Sequence, residues 1–380
     1  MFGRGVFIIP ITKNLGWDRG VLSGAFAMSQ FVAGPMSILT GRLCDRYGPR
    51  ILLTVYGCLV VSGFILMSRV ISLWQVYLIW GLFIGLGSSC CFTPIMSTIP
   101  KWFLKHRGSA VGFTLIGFGI GGIIWPTVTQ GLISAYGWRQ TYLIAGIIAA
   151  AVIIPLAQFI KQNPQKMGIK PYGETEPLGE IPSPDKYYNG MSFIQAIRSR
   201  QFWLLSIVLF FFWILIQIVF VHVVPYAIDM GIAEMAAASI LSIIAAVSLV
   251  GRISMGYISG KIGIRWALPA CLSLATLALI WLIFAQNVWM FYLFAVVFGL
   301  AYGGFVPLET IVPSELFGIK AIGVILGAIF LSGTIGSALG PIFAGVLFEA
   351  TGSYVTALQI CVVVNIIGIV IAFIVLRLKE

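Results

Sequence analysis

A handful of polar side chains interrupt apolar runs long enough to cross a bilayer, and each needs a reason to be there. Arg252, in "SLVGRISMGY", stands about six residues, roughly 9 Å of helix, before the polar loop at Ser259. Glu309 sits in "GGFVPLETIVPSELFG", while Gln217 and His222 share "FFFWILIQIVFVHVVPYAIDMG". A charge near the bilayer centre costs at least about 2.5–3.5 kcal/mol, so such a residue lines a pathway or has a partner. Arg252 is deep enough to be partly buried and shallow enough to snorkel. Glu309 reads either as a carboxyl that carries a coupled proton or as a capped acid near a helix end. The imidazole of His222 titrates near working pH, which suits a proton-linked or gating role; its alternative is hydrogen-bonded packing. Asn365 reads as glue between helices. With two histidines and no nucleophile–base or metal-ligand constellation, neither an enzyme nor a cofactor or metal site is expected.

The elements that must position these groups follow from composition. Of 380 residues, 59% are hydrophobic and 9% charged, against about a quarter charged in soluble domains. This is the composition of a membrane protein. Apolar runs long enough to cross the hydrocarbon as helix fall at 22–40, 51–70, 74–98, 108–134, 140–160, 202–228, 234–258, 267–285, 288–312, 321–348 and 354–376. A shortened first run, 2–13, has neither a charged leader nor a small-residue cleavage site, so it is not read as a signal peptide. The start of helix one is expected to be missing, the alternative being a short helix from which Arg4 snorkels.

The net charge of +11 is a matter of topology and calls for no nucleic-acid partner. Basic residues concentrate in alternate loops (Arg42 to Arg50, Lys101 to Arg107, Lys161 to Arg200, Arg252 to Arg265), while the opposite loops hold Lys13, Arg19, Arg69 and Arg139. That bias places the loop 41–50 and the C-terminus in the cytoplasm, in an inner or plasma membrane. The six cysteines read as small packing residues and form no disulfide framework.

The polar stretch 161–200, rich in proline, glycine and charge, divides the chain into a first half, 1–160, a cytoplasmic linker, and a second half, 201–380. The end of the linker, Ser192 to Arg200, is predicted to form a short amphipathic helix. The halves align at an offset of 213–215 residues: Gly41, Gly48 and Arg50 meet Gly256, Gly263 and Arg265, and Pro94, Pro100 and Pro126 meet Pro307, Pro313 and Pro341. A duplicated unit of six spans is expected. Parallel repeats of this kind build one large class of transporters, with the substrate near the midplane.

"GRLCDRYGPR" (41–50) closely resembles the G-x-x-x-D-R-x-G-x-R loop between helices two and three of the major facilitator superfamily. The resemblance covers essentially the whole chain and implies an all-α integral membrane protein, two six-helix halves with a truncated first helix, cycling by alternating access. It also implies a conformational latch at Gly41, Asp45, Arg46, Gly48 and Arg50, in which Asp45 stabilises a helix N-terminus or pairs with a base. The second copy carries Gly260 in place of Asp45, so the latch should be asymmetric. The small-residue stripes 112–126 and 327–341 let helices approach closely, the alternative being a ligand-contacting glycine face. The first of them, 112–126, departs from the regular glycine pattern that drug-exporting antiporters of the superfamily carry in helix five, which counts against a drug exporter.

"VHVVPYAIDMGI", Gly16 with Trp17, and Arg252 followed by Gly256 are similar to the monocarboxylate-transporter and oxalate/formate-antiporter branch of the superfamily. In that branch an arginine of helix eight pairs with the substrate carboxylate, which implies the role for Arg252; its planar fork suits bidentate recognition. Ser248, one turn earlier, stands where proton-coupled members have an aspartate. Helix eleven here lacks the lysine of the oxalate exchanger, which favours a monoanion, and Arg4 offers a second positive group. The expected partners are a small organic anion, a proton (on Glu309 or His222) or a counter-substrate, and the lipid bilayer, around a monomer. A carrier of drug-like molecules or nucleosides would instead use Trp125, Trp213 and Phe305; a non-transporting receptor is a more distant alternative.

Overall fold

The computed structural model of the chain describes residues 4–17, 19–103, 105–164, 167–172 and 190–377, which are nearly all helical. The helices are α1 (Arg4–Leu15), α2 (Arg19–Tyr47), α3 (Pro49–Ser68), α4 (Leu73–Trp102), α5 (Arg107–Phe159), α6 (Phe193–Arg198), α7 (Arg200–Asp229), α8 (Glu234–Ile262), α9 (Ile264–Ile283), α10 (Val288–Phe317), α11 (Ile322–Thr351) and α12 (Val355–Arg377). Within the described residues, each apolar run read from the sequence is helical over nearly its whole length. Helix α5 bends at Gly137 (φ 77, ψ 163), which divides it into the two spans expected at 108–134 and 140–160. Among the described residues, nine helices are long and apolar enough to cross a membrane.

The duplication is written in the backbone. Glycines of positive φ fall in three pairs, Gly16 (70) with Gly231 (81), Gly48 (87) with Gly263 (76), and Gly137 (77) with Gly352 (69), each pair 215 residues apart. Only glycine enters that region without a steric penalty, and there it lets a helix end and the chain reverse. Both halves therefore break their helices at matching positions. The described ends of the linker follow the same rule. Tyr172 N donates to Trp102 O at 2.9 Å and Met191 N to Phe317 O at 2.8 Å, and these two acceptors also stand 215 residues apart. Just beyond, Ser192 and Gln195 form the reciprocal cap that starts α6.

The chain clusters into two compact units. Unit one comprises Met1–Trp102, Gly117–Tyr188 and Ile319–Ala328; unit two comprises Phe103–Ile116, Asn189–Gly318 and Ile329–Glu380. The opening turns of α11 thus belong to unit one and those of α5 to unit two.

In unit one Phe7 stacks on Tyr142 at 4.1 Å, and Trp138 meets the same ring edge-on at 6.3 Å. A π-helical segment, Ile79–Gly85, interrupts α4; a Cβ added at Gly85 would lie 3.0 Å from Ser29 O of α2, so glycine there permits close packing. In unit two Phe212 stacks on Phe305 at 3.7 Å, and Gly303 brings α10 against the backbone of α8 at Ser248. Asn365 is the expected glue: its Nδ2 donates to Leu272 O at 2.9 Å and Thr276 Oγ1 at 2.8 Å. Gly336 and Gly340 of α11 take the backbone of α7 at Phe210 and Ile214, which makes this part of the glycine stripe a packing surface.

Candidate functional site

Among the described residues, each unit holds a buried charged group on a glycine-lined helix seam. In unit one Asp45, at the end of α2, accepts from the backbone N–H groups of Gly323 (3.2 Å, Oδ1) and Val324 (3.1 Å, Oδ2) in the first turn of α11. Lys101 Nζ, from α4, stands 3.0 Å from Asp45 Oδ1, the two side chains 3% and 16% exposed. The carboxylate therefore caps a helix N-terminus and pairs with a base at once, where both its charge and its lone pairs are used. Close approach makes this possible. Gly41 and Gly323 face each other with no room for a Cβ, and Ser37 Oγ lies 2.7 Å from Gly327 O.

The other charges of the loop motif stand apart from this cluster. Arg46 lies over the Tyr47 ring at 5.2 Å, and Arg50 Nε donates to Gln158 Oε1 at 2.7 Å. Gly48 turns the chain under Gln162, whose Nε2 donates to Asp45 O at 2.9 Å. Lys101 was counted in the sequence as one more loop base; nothing at its position signals that it is buried and paired.

In unit two Arg252 is 8% exposed, and its Nη1 donates to the backbone carbonyl of Leu115 in α5 at 2.9 Å. Its Nε is buried without a partner, and among the described residues no carboxylate lies within 4.0 Å of the guanidinium. Around it stand Tyr302, with the guanidinium carbon 5.9 Å from its ring centre, and through Tyr302 the rings of Trp213 (6.5 Å) and Phe220 (5.4 Å). From Ala301 to Ser314, Tyr302 alone keeps appreciable exposure; its neighbours along α10 are buried. Glu309, 3% exposed, accepts from Trp213 Nε1 at 2.5 Å, and Gly333 of α11 leaves room for that indole. Glu309 interacts electrostatically with Arg252 but forms no ion pair with it.

Ser248, one turn before Arg252, gives its hydroxyl to Ala245 O at 2.8 Å and packs on Gly303. His222 belongs to a different cluster: Nε2 stands 3.1 Å from Pro341 O, with the ring 5.1 Å from Tyr354. Arg4 opens α1, but its side chain lies outside the described residues. Phe305 is wholly buried against Phe212. A crevice of about 400 Å³ between α7, α11 and α12 is lined by Phe211, Leu339, Phe343, Cys361 and other apolar groups; with no charge facing it, it suits hydrocarbon and not an anion.

The two clusters sit on matching seams. At an offset of 215, Ser37 and Gly41 correspond to Arg252 and Gly256, and Gly323 and Gly327 to Gly108 and Gly112. In unit two Gly108 and Gly256 again face each other, and a Cβ on Gly112 would lie 2.7 Å from Arg252 O. Arginine thus replaces serine on a seam of the same build. Gly260 replaces the capping aspartate, and Arg107, at the start of α5, lies instead within electrostatic reach of Glu315 on α10.

The sequence profile of the Major Facilitator Superfamily matches residues 1–285 and, in a second overlapping segment, 250–380. Monocarboxylate transporter 12 of Rattus norvegicus is 26% identical over 374 residues, 92% of this chain and 74% of that protein. The MFS-type transporter opdF of Penicillium oxalicum is 26% identical over 347 residues, 90% of this chain and 77% of that protein. The solved E. coli fucose:proton symporter FucP superposes with a TM-score of 0.70 at 15% identity, over 100% of this chain and 97% of that one. The chain belongs to the Major Facilitator Superfamily and is a multi-pass integral membrane transporter of small molecules, not an enzyme.

Proposed function

We propose that this transporter moves a small organic anion, a monocarboxylate, by alternating access, with Arg252 as the group that binds the carboxylate. The observation that carries the reading is a buried guanidinium with no carboxylate within 4.0 Å among the described residues and with Nε unpartnered. A buried guanidinium without a direct ion-pair partner is costly, and an anionic substrate supplies that partner in a geometry that the planar fork accepts. The similarity to monocarboxylate transporter 12 supports the same substrate class. Asp45 acts as the latch of one gate state, within halves 1–160 and 201–380 joined by the linker; the carrier works as a monomer in the cell membrane with its C-terminus in the cytoplasm.

Glu309 is the favoured proton site. Arg252 and Glu309 together are neutral, so an incoming monoanion leaves one negative charge in a low-dielectric region, and a proton on Glu309 removes it. His222, away from this cluster, is the second candidate. The reading based on an amphipathic substrate loses one of its three aromatic contacts, because Phe305 is core.

Uptake of labelled lactate, pyruvate or formate into proteoliposomes tests the proposal. Removing a charge-assisted contact of about 1.5–3 kcal/mol predicts that Arg252→Ala loses at least about tenfold in kcat/KM. Equal transport by both proteins overturns it. For coupling, a pH gradient alone should drive accumulation in the unmodified protein and not in Glu309→Gln.

A further inference from the structure

Arg252 occupies a seam position as well as a site position. Its counterpart, Ser37, bonds across the α2–α11 seam to Gly327 O, and Arg252 bonds across the α5–α8 seam to Leu115 O. We propose that anion binding exchanges the Leu115 carbonyl for the substrate carboxylate, so that occupancy loosens the α5–α8 seam, and that Gly112 is the positioning residue that sets this exchange. The inference rests on the reading of Arg252 as the anion ligand.

The geometry favours the exchange. A bidentate carboxylate takes either both terminal nitrogens of a guanidinium or Nε with one of them. The first mode draws on Nη1, which has two hydrogens and already gives one to Leu115 O, so the carboxylate competes with the carbonyl for that nitrogen. The second needs Nε, which is buried, so the guanidinium must turn to present it, and turning draws Nη1 away from Leu115 O. A charged carboxylate is a stronger acceptor than a neutral carbonyl, which gives the direction of the exchange.

What the bond holds is a seam with little else in its favour. Gly108, Gly112 and Gly256 bring two backbones together, but Gly260 offers no carboxylate to cap the start of α5, whereas Asp45 caps α11 in unit one. A Cβ at Gly112 meets Arg252 O at 2.7 Å, so alanine there pushes α8 from α5 and stretches the Arg252–Leu115 bond. The guanidinium is then freed before substrate arrives, and the empty carrier loses a contact it needs to reclose.

Gly112→Ala therefore predicts changes of opposite benefit. In the purified full chain, lactate binding by calorimetry should tighten about threefold or more while turnover in proteoliposomes falls about threefold or more. Gly327→Ala, the matching change in unit one, should slow turnover and leave the Kd for lactate unchanged, because Ser37 is not a ligand. A folded Gly112→Ala protein that binds lactate no tighter than the unmodified chain overturns the proposal. If that variant does not fold, spin labels at the exposed positions Phe113 and Ile253 report on the seam without it. Saturating lactate should lengthen their separation, and an unchanged separation overturns the exchange. Arg252-dependent binding with neither effect leaves the monocarboxylate reading standing; no saturable binding of lactate, pyruvate or formate overturns both.

Discussion

The α2–α11 seam of unit one and the α8–α5 seam of unit two are copies in backbone and opposites in charge. Both bring glycines face to face, at Gly41 with Gly323 and at Gly256 with Gly108. Unit one then adds a carboxylate that caps two amides and holds Lys101, whereas unit two has Gly260 at that position and an arginine where unit one has Ser37. Matching glycines give the two seams the same close backbone approach, and on the proposed reading sequence change made the first a lock and the second a sensor. Asp45 is satisfied within its unit, whereas Arg252 has no ion-pair partner among the described residues.

The contrast can be broken from either side. The largest effect is expected at Asp45, because removing one member of a buried pair leaves the other uncompensated, at about 3–5 kcal/mol. Asp45→Ala should lower the thermal unfolding midpoint and abolish transport, and the double variant with Lys101→Ala should recover part of the loss; a midpoint unchanged in Asp45→Ala would show that the pair does not hold the seam. Next come Gly41→Val and Gly256→Val, each forcing two backbones apart at about 1–3 kcal/mol. Equal losses of stability in the two variants support matched backbones, and a loss confined to one seam argues against them. The smallest effect belongs to Gly260→Asp, which gives unit two the missing carboxylate. No atom lies within 4 Å of an added Cβ there, and an acid at a helix start is worth about 0.3–1 kcal/mol. Turnover should slow by up to about fivefold with lactate affinity unchanged; faster turnover would mean that the second seam gains nothing from being uncapped.

The parts of this arrangement that depend on chain-local chemistry were legible in the sequence. Apolar length gave the spans, paired glycines and prolines gave the duplication, and the exchange of Asp45 for Gly260 announced the asymmetry. Arg252 stood out because an arginine in an apolar run needs a reason. The rest depends on partners distant in the chain. Leu115 contributes a backbone carbonyl, which no residue type advertises. The Trp213–Glu309 bond joins α7 to α10, and Lys101 looks like any base that ends a span. The π segment in α4 likewise reflects packing against α2 and has no signature in "IWGLFIG".

The bond between His222 and Pro341 fixes a tautomer. A carbonyl oxygen only accepts, so Nε2 carries the hydrogen, and in the neutral ring Nδ1 is the basic atom. The bond that ties α7 to α11 therefore uses Nε2 as its donor and leaves Nδ1 as the acceptor of the ring. Histidine at this position thus ties two helices through one ring nitrogen and keeps a lone pair on the other.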